Sequence, residues 1–249
     1  MNPAEFQNLA AAEERMWWFR GMREICRRIA GAHLAAGIRD VLDAGCGTGA
    51  NAEWMARTFH WRVWGLDSAR EGLRLARCRS GLQGCAQGDI RALPFPKERF
   101  DLITCLDVFV HLDDGEDLLA MRELARCLRP GGRLLLRAAA FEWLRSRHSQ
   151  FVGEKQRFTL PQLKRAAAEA GLEPQWATYA NSLLLPAAFI KFRLVEPLAR
   201  APVESGVALG PGWLETMLGS VLRLEAWWIG RGGRFPAGQS AILVARKPC

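Results

Sequence analysis

Residues 41–49 read Val-Leu-Asp-Ala-Gly-Cys-Gly-Thr-Gly, a short apolar strand that runs into three glycines at alternate positions. Because glycine has no Cβ, the backbone of such a turn comes directly against a bound nucleoside cofactor. The G-x-G-x-G spacing lacks the last glycine of dinucleotide sites and the lysine of phosphate loops. Asp43, just before the turn, favours a cationic ligand. The stretch thus predicts a nucleoside site without bound phosphates, although alone it also fits a glycine-rich turn of any α/β protein.

Apolar strands and helical segments alternate after this loop. The second strand ends in Asp67, 24 residues after Asp43, close to the spacing at which a second-strand carboxylate binds ribose hydroxyls. Asp89 and Ile90 follow the third apolar stretch and offer a carboxylate to the amine of an adenine and an apolar contact to its ring. Each acid alone also fits a helix cap. The predicted strands are 41–44, 62–66, 82–86, 100–106, 134–138, 173–179 and 240–246.

With these residues in this order, the chain resembles the class I S-adenosylmethionine-dependent methyltransferases, clearly over residues 38–140. The resemblance implies a Rossmann-like α/β fold with a mostly parallel seven-stranded sheet, helices on both faces, and S-adenosylmethionine as cofactor. It implies the following cofactor contacts: Asp43, Gly45, Cys46 and Gly47 at the methionine end, Asp67 and Ser68 at the ribose, Asp89 and Ile90 at the adenine, and Leu106 over the cofactor. The family usually has a glutamate where this chain has Val110, so the role of that acid is not carried over.

Three consecutive aromatic residues, Trp17, Trp18 and Phe19, stand among arginines before the first strand. Adjacent helical residues cover most of the circumference, so some aromatic surface must meet a second element or a ligand. The segment resembles the N-terminus of a bacterial methyltransferase subgroup, which implies a lid over the cofactor formed by Trp18, Phe19 and Arg20. An aromatic face suits a sulfonium, and Arg20 or Arg23 suits the methionine carboxylate. Packing of the helix on the sheet is an equal alternative for each residue.

We expect a single methyltransferase domain over residues 1–249 with helical additions. It divides into an N-terminal helical lid (1–37), a cofactor-binding core (38–140), a lid segment with a helix and the sixth strand (141–180), an insertion (181–238) and the last strand (239–249). The insertion holds two segments that are apolar along helical faces, 187–198 and 213–228. We expect it to form a helical substrate cap beside the carboxyl ends of the strands. A dimer interface or a helical pair docked on a membrane remains an alternative.

The chemistry follows from the cofactor. A sulfonium methyl is already activated, so the acceptor needs to be held in line at about 3 Å with water excluded. A base is required only where the acceptor keeps its proton. His111, after the fourth strand, and His148, in the lid segment, are the candidate catalytic residues, and capping beside neighbouring acids is an equal alternative for His111. We expect the acids of 113–117 to stabilise a helix start rather than to bind a metal, so no metal is predicted.

Composition limits the partners. Seven cysteines without a C-x-x-C pair predict free thiols in a reducing cytoplasm. The longest apolar run, 183–190, is far short of the roughly 20 residues of a spanning helix. The net charge of +8 is spread along the chain, without a basic tract that contains aromatics, so no nucleic acid partner is expected. A small acidic or lipid-phosphate partner agrees better with this charge, as does a solvated basic surface.

The sequence therefore predicts an S-adenosylmethionine-dependent methyltransferase that acts on a small metabolite, hydrophobic if the apolar cap lines its site. The same fold using the cofactor for aminocarboxypropyl transfer or cyclisation is one alternative. A non-catalytic binder and a methyltransferase of lipid-linked substrates at a membrane surface are others. Contact with a membrane surface and with a second copy of the chain stay open, and the sequence does not specify the acceptor.

Overall fold

The structure, a computed structural model, describes residues 3–34, 36–198, 203 and 205–249. Positions 1, 2 and 35 of the predicted lid and positions 199–202 and 204 of the predicted insertion lie outside the described residues.

The strands are β1 (Asp40–Ala44), β2 (Arg62–Asp67), β3 (Leu82–Gln87), β4 (Phe100–Leu106), β5 (Leu128–Ala139), β6 (Glu173–Ala180) and β7 (Ser240–Arg246). They form one sheet in the order β3-β2-β1-β4-β5-β7-β6. β7 is antiparallel to β5 and β6, and the other neighbours are parallel. The predicted mostly parallel seven-stranded sheet is confirmed.

Strand β1 lies at the centre of this sheet, between β2 and β4. All of its residues are buried, as expected of a parallel strand covered on both faces. The order of the strands reverses between β1 and β4, and in open α/β sheets ligands bind at the carboxyl ends of the strands beside such a switch. The fold therefore places a binding site at the carboxyl ends of β1, β2 and β4.

Helices cover both faces of the sheet, as predicted. They are α1 (Pro3–Ala12), α2 (Trp17–His33), α3 (Ala50–Phe59), α4 (Arg70–Ala76), α5 (Glu116–Cys127), α6 (Arg147–Val152), α7 (Leu160–Glu169), α8 (Leu185–Phe189), α9 (Glu196–Leu198) and α10 (Gly212–Gly230), with a π-helical segment, Ile190–Val195, between α8 and α9. Apolar residues of α2, α3 and α10 share a core with one face, and those of α5 and α7 share a core with the other. Among the described helices, none combines the length and the apolar character needed to cross a membrane.

The second helix of the predicted insertion, α10, packs against α2. A Cβ at Gly21 would lie 2.3 Å from Leu222 Cδ1, so the glycine permits this close approach. Glu225, buried on α10, accepts hydrogen bonds at 2.7 Å from the amides of Ser182 and Leu183. α10 therefore completes the helical layer on the sheet, which differs from the substrate cap expected of the insertion.

Strand β5 begins at Leu128, earlier than the predicted start at residue 134. The Arg-Pro-Gly-Gly sequence forms an irregular stretch within this strand, and the pairing register with β4 shifts there. Gly131 has a φ of +77°, and its amide donates a hydrogen bond to the carbonyl oxygen of Lys247 at 2.9 Å. Gly131 thus holds this irregular stretch against the chain that leaves β7.

Candidate functional site

A cavity of about 310 Å³ lies at the carboxyl ends of the central strands. Its volume falls at the lower end of the range usual for small-molecule sites, about 300–1,000 Å³. Ten of the residues predicted from the sequence line it: Phe19, Gly45, Cys46, Gly47, Asp67, Ser68, Asp89, Ile90, Leu106 and His111. Residues that the sequence reasoning missed include Phe6, Leu9, Glu13, Thr48, Asn51, Asp107, Arg137 and Lys155. None of the described residues between 181 and 238 lines the cavity.

The glycine loop forms one wall of this cavity. Gly45 has a φ of +85°, and a Cβ on it would lie 2.1 Å from Val108 Cγ2, so the close packing at this position requires glycine. The amides of Gly45 and Cys46 both donate to the carbonyl oxygen of Leu66, at 2.7 and 2.8 Å. The loop is therefore fixed against the end of β2 with its backbone toward the cavity.

Asp67 is held in place by two backbone amides. Its Oδ2 accepts from the amide of Gly47 and its Oδ1 from the amide of Ala69, both at 2.8 Å. Each carboxylate oxygen keeps a further lone pair for a ligand hydroxyl. A fixed carboxylate at the end of β2 matches the ribose contact predicted for this residue.

Asp43 lies below the loop, outside the cavity lining, and is 2% exposed. Its Oδ1 accepts a hydrogen bond from Thr104 Oγ1 at 2.7 Å, whereas its Oδ2 has no hydrogen-bond partner among the described residues. Burial raises the pKa of this carboxyl to about 6. A buried carboxylate with an unused oxygen favours positive charge nearby, which fits the cationic end of S-adenosylmethionine.

The predicted adenine residues lie together at the end of β3. Ile90 is buried and lines the cavity. The Asp89 carboxylate accepts two hydrogen bonds from Arg91, one from the backbone amide at 2.8 Å and one from Nε at 2.9 Å. This pairing lowers the pKa of the Asp89 carboxyl. Since Arg91 also pairs with Glu116, the guanidinium already occupies part of the Asp89 carboxylate that an adenine amine would use.

The aromatic segment reaches the cavity through Phe19 only. Trp18 lies beside it, with the guanidinium carbon of Arg137 5.0 Å from the centre of its ring. Arg20 is exposed and does not line the cavity. Arg23 instead turns inward, and its Nε donates a hydrogen bond to Oδ1 of the cavity residue Asn51 at 3.1 Å. Of the two arginines considered from the sequence, the structure thus brings Arg23 toward the site.

A contact between Glu13 and Thr48, which was not predicted from the sequence, connects the N-terminal segment to the glycine loop. Glu13, buried between α1 and α2, accepts hydrogen bonds from Thr48 Oγ1 at 2.8 and 2.6 Å and pairs with Arg79. Burial raises the pKa of the Glu13 carboxyl, although Thr48 and Arg79 oppose the rise. The residues are too far apart in sequence for a local pattern to reveal this contact.

The two candidate histidines have different positions. His111 lines the cavity, with its Nδ1 3.4 Å from the carbonyl oxygen of Gly153, and burial lowers the pKa of its imidazole. His148 lies outside the lining, and its Nδ1 accepts a hydrogen bond from the amide of Gly206 at 2.9 Å. Because His148 is engaged by the insertion, the structure brings only His111 to the cavity.

The acids that follow His111 contact other protein groups. Asp113 pairs with Lys155 at 2.6 Å, and the amide of Asp113 donates to Oε2 of Glu116 at 2.9 Å. Within the described residues, no group of three or more His, Cys, Asp or Glu side chains is arranged to hold a metal ion.

Residues 42–136 match the family described as Methyltransferase domain. Over 141 residues the chain is 35% identical to methyltransferase GfsG of Streptomyces halstedii, and this aligned region covers 54% of this chain and 47% of that protein. Over 136 residues the chain is 34% identical to a fatty-acid O-methyltransferase of Mycolicibacterium smegmatis, and this aligned region covers 53% of this chain and 43% of that protein. The chain thus spans about half the length of these curated relatives.

Among solved structures, the TehB-like SAM-dependent methyltransferase of Corynebacterium glutamicum superposes with a TM-score of 0.60. The sequences are 16% identical and the superposition covers 100% of both chains, so this likeness shows a shared fold. The matched range contains both the glycine loop and the carboxylate at the end of β2. Residues 42–136 therefore match the methyltransferase domain family, and the family match, the relatives and the shared fold together support a class I S-adenosylmethionine-dependent methyltransferase.

Proposed function

We propose that this protein transfers the methyl group of S-adenosylmethionine to an oxygen of a small hydrophobic acceptor. The observation that carries the proposal is the pair of carboxylates around the glycine loop. Asp67 is held by two amides with lone pairs to spare, and Asp43 is buried with one oxygen unused. A ribose at the first carboxylate and a cationic sulfur near the second satisfy both, whereas a phosphate would meet negative charge.

The adenine and methionine ends have separate contacts in this proposal. Ile90 packs against the adenine, and Asp89 accepts its amine once Arg91 moves aside. At the other end, Arg23 pairs with the methionine carboxylate beside Asn51, and Arg137 adds positive charge to the same part of the cavity. Arg20 has no role here, because it is exposed and outside the lining.

His111 is the proposed base for an acceptor that carries a proton. The carbonyl of Gly153 can only accept a hydrogen bond, so the tautomer with a proton on Nδ1 is favoured and Nε2 is left free. Burial lowers the pKa of the imidazole, which keeps it neutral at pH 7. S-adenosylmethionine, when bound, would supply the activated methyl group to the acceptor oxygen, and Nε2 of His111 would accept the proton that this oxygen loses.

The acceptor class rests on the relatives together with the cavity. One relative is named a fatty-acid O-methyltransferase, which supports oxygen as the nucleophile and a hydrophobic acceptor. The aromatic and aliphatic side chains of Phe6, Leu9 and Phe19 line the cavity on the side of α1 and α2. We therefore expect an apolar acceptor with a hydroxyl or carboxyl group to enter beside them.

Mass spectrometry of the products tests this proposal. The purified protein is incubated with S-adenosylmethionine and a panel of fatty acids and hydroxylated aromatic compounds. We expect S-adenosylhomocysteine together with an acceptor heavier by one methylene, with Asp67→Asn inactive and the surface control Glu71→Gln active. Methylthioadenosine formed in place of S-adenosylhomocysteine would mean that a different group leaves the sulfur, and the proposal would be wrong.

A further inference from the structure

The insertion carries most of the exposed large apolar side chains among the described residues. Thirteen of the fifteen exposed large apolar side chains in the described residues lie between positions 183 and 228. Leu198 is 84% exposed and Trp213 is 69% exposed. We call this region, formed by α8, α9, α10 and the π-helical segment, the insertion surface. Exposed apolar side chains concentrated in one part of a protein usually mark a surface that contacts a partner or a membrane.

Helix α10 contributes one stripe of this surface. Trp213, Met217, Leu224 and Trp227 are exposed and recur at three, four or seven positions, which places them on one side of the helix. The opposite side carries the residues buried against α2 and the sheet. Because the buried side already packs in the core, the exposed stripe is not needed to hold α10 on the fold.

The helical segment from α8 to α9 is covered even less. Within the described residues 185–198, Ala188 is the one buried position. Ile190, Leu194 and Leu198 are exposed four residues apart, so they form a second apolar stripe. An apolar helix of this kind, with almost no contact to the core, is stabilised when a further apolar phase covers it.

Within the described part of the insertion, the acidic and basic side chains lie on different sides. Glu225 is buried, Glu215 accepts a hydrogen bond from the amide of Trp17, and Glu196 accepts one from the amide of Arg147. These acids are therefore turned toward the protein. Among the described residues of the insertion, the exposed cations are Lys191, Arg193, Arg223, Arg231 and Arg234. Outward cations among exposed tryptophans and leucines are the composition of a helix that lies at the surface of an anionic membrane.

We propose that the insertion surface docks the protein on an anionic lipid membrane. Tryptophan is favoured at the boundary between headgroups and acyl chains, and cations are attracted by anionic headgroups. The guanidinium of Arg231 stands 4.0 Å above the ring of Trp227, a pair that presents an aromatic face and a positive charge together. A second copy of the chain fits less well, because a two-fold interface would bring the same cations face to face.

The insertion surface is joined to the elements around the cavity. Phe189 of α8 packs edge-on against Trp143, with ring centres 5.9 Å apart. The amide of Gly206 donates to His148, whose Nδ1 is 3.8 Å from Oε1 of Glu5 on α1. α1 also carries the cavity residue Phe6. Docking would therefore hold the cavity close to the lipid surface, although the docking itself does not depend on the methyl-transfer reaction.

Vesicle flotation with the whole protein tests the proposal. The two probes are vesicles of phosphatidylcholine alone and of an equal mixture of phosphatidylcholine and phosphatidylglycerol. We expect the protein to float with the anionic vesicles and to dissociate as salt is raised. The double variants Leu198→Ser/Trp213→Ser and Lys191→Glu/Arg223→Glu should each bind about tenfold less tightly.

Two matched variants and one further measurement keep the test decisive. Leu119→Ser and Lys164→Glu change exposed residues outside the insertion surface and should float like the unaltered protein. Circular dichroism checks that every variant is folded. Flotation that is absent, equal on neutral vesicles, or unchanged in the two double variants would overturn the proposal. A concentration-dependent dimer in sedimentation that the same variants abolish, without flotation, would assign the surface to self-association instead.

Discussion

Arg137 on β5 and Asp107, the residue after β4, form an ion pair beside the cavity, with Arg137 Nε 3.0 Å from Asp107 Oδ2. Arg137 is 4% exposed, and Asp107 has a φ of +61°, a conformation that is uncommon for residues other than glycine. The guanidinium also faces the ring of Trp18. One side chain thus connects α2, β5 and the end of β4 around the site.

Arg137→Met should lower both stability and cofactor affinity. The substitution leaves the Asp107 carboxylate without its cation and removes the contact with Trp18, so we expect a loss of about 2–3 kcal/mol in the free energy of unfolding. Denaturant titration measures the stability, and calorimetry measures the Kd for S-adenosylmethionine. Arg122→Met, an exposed change on α5, should alter neither quantity, and an Arg137→Met protein as stable and as tight-binding as the unaltered one would contradict this account.

Asp43→Asn should stabilise the protein and weaken cofactor binding. Burial raises the pKa of Asp43 to about 6, so its protonated form is favoured in the folded state. The contribution of this group to stability is therefore full below about pH 4, its unfolded pKa, and is lost as the pH rises toward 6. Asparagine cannot ionise and still accepts from Thr104, so the variant should gain on the order of 1–3 kcal/mol above pH 6.

Urea titrations of the unaltered protein and Asp43→Asn between pH 4 and pH 8 check this prediction. The difference in the free energy of unfolding should grow with pH and level off above the folded pKa. The variant should also bind S-adenosylmethionine more weakly at pH 7.5, because the negative charge below the loop is gone. A constant difference across this pH range would show that Asp43 does not titrate as proposed.

Thr48→Val should loosen the N-terminal segment. The change removes the hydroxyl that donates to the buried carboxylate of Glu13, and a lost hydrogen bond to a buried charged group costs about 1.5–3 kcal/mol. We expect faster hydrogen exchange in α1 and a higher KM for S-adenosylmethionine. Thr58→Val, an exposed change on α3, is the matched control and should match the unaltered protein in both measurements.

His111→Gln should lower kcat about a hundredfold or more for an acceptor that loses a proton, while leaving the Kd for S-adenosylmethionine unchanged. Because burial lowers the pKa of His111, the base is neutral at pH 7 and activity should fall only as the pH drops below the usual range of histidine. A pH profile of kcat measures this fall in activity at low pH, which the variant should not show. His60→Asn, at an exposed position, should retain the full profile.

Site features with a local signal are predictable from the sequence. The glycine loop, Asp67 and Ile90 follow strands with clear apolar patterns, so their order along the chain predicted their meeting at one edge of the sheet. The pair of Arg137 with Asp107 is not predictable in this way, because that contact joins two strands and no local spacing requires it. The choice between Arg20 and Arg23 depended on the phase of α2, which only its packing on the sheet fixes.

The insertion differs from its sequence-based prediction. Apolar helical faces predicted a cap, since burial against the site is the usual fate of such faces in an inserted segment. In the structure one side of α10 packs against α2, where the absence of a side chain at Gly21 allows Leu222 to come close. The other side of α10 is exposed. The periodicity of α10 thus indicated a helix with an apolar face, but the sequence did not say which surface that face would meet.

Calorimetric titration with S-adenosylmethionine, comparing the unaltered protein with Asp67→Ala, tests the central claim most directly. Asp67 is fixed by the amides of Gly47 and Ala69 and is the proposed acceptor of the ribose hydroxyls. We predict one site per chain and at least about a tenfold weaker Kd in the variant, since hydrogen bonds to a charged group contribute about 1.5–3 kcal/mol. Equal affinity in the two proteins, or no binding by the unaltered protein, would contradict the account.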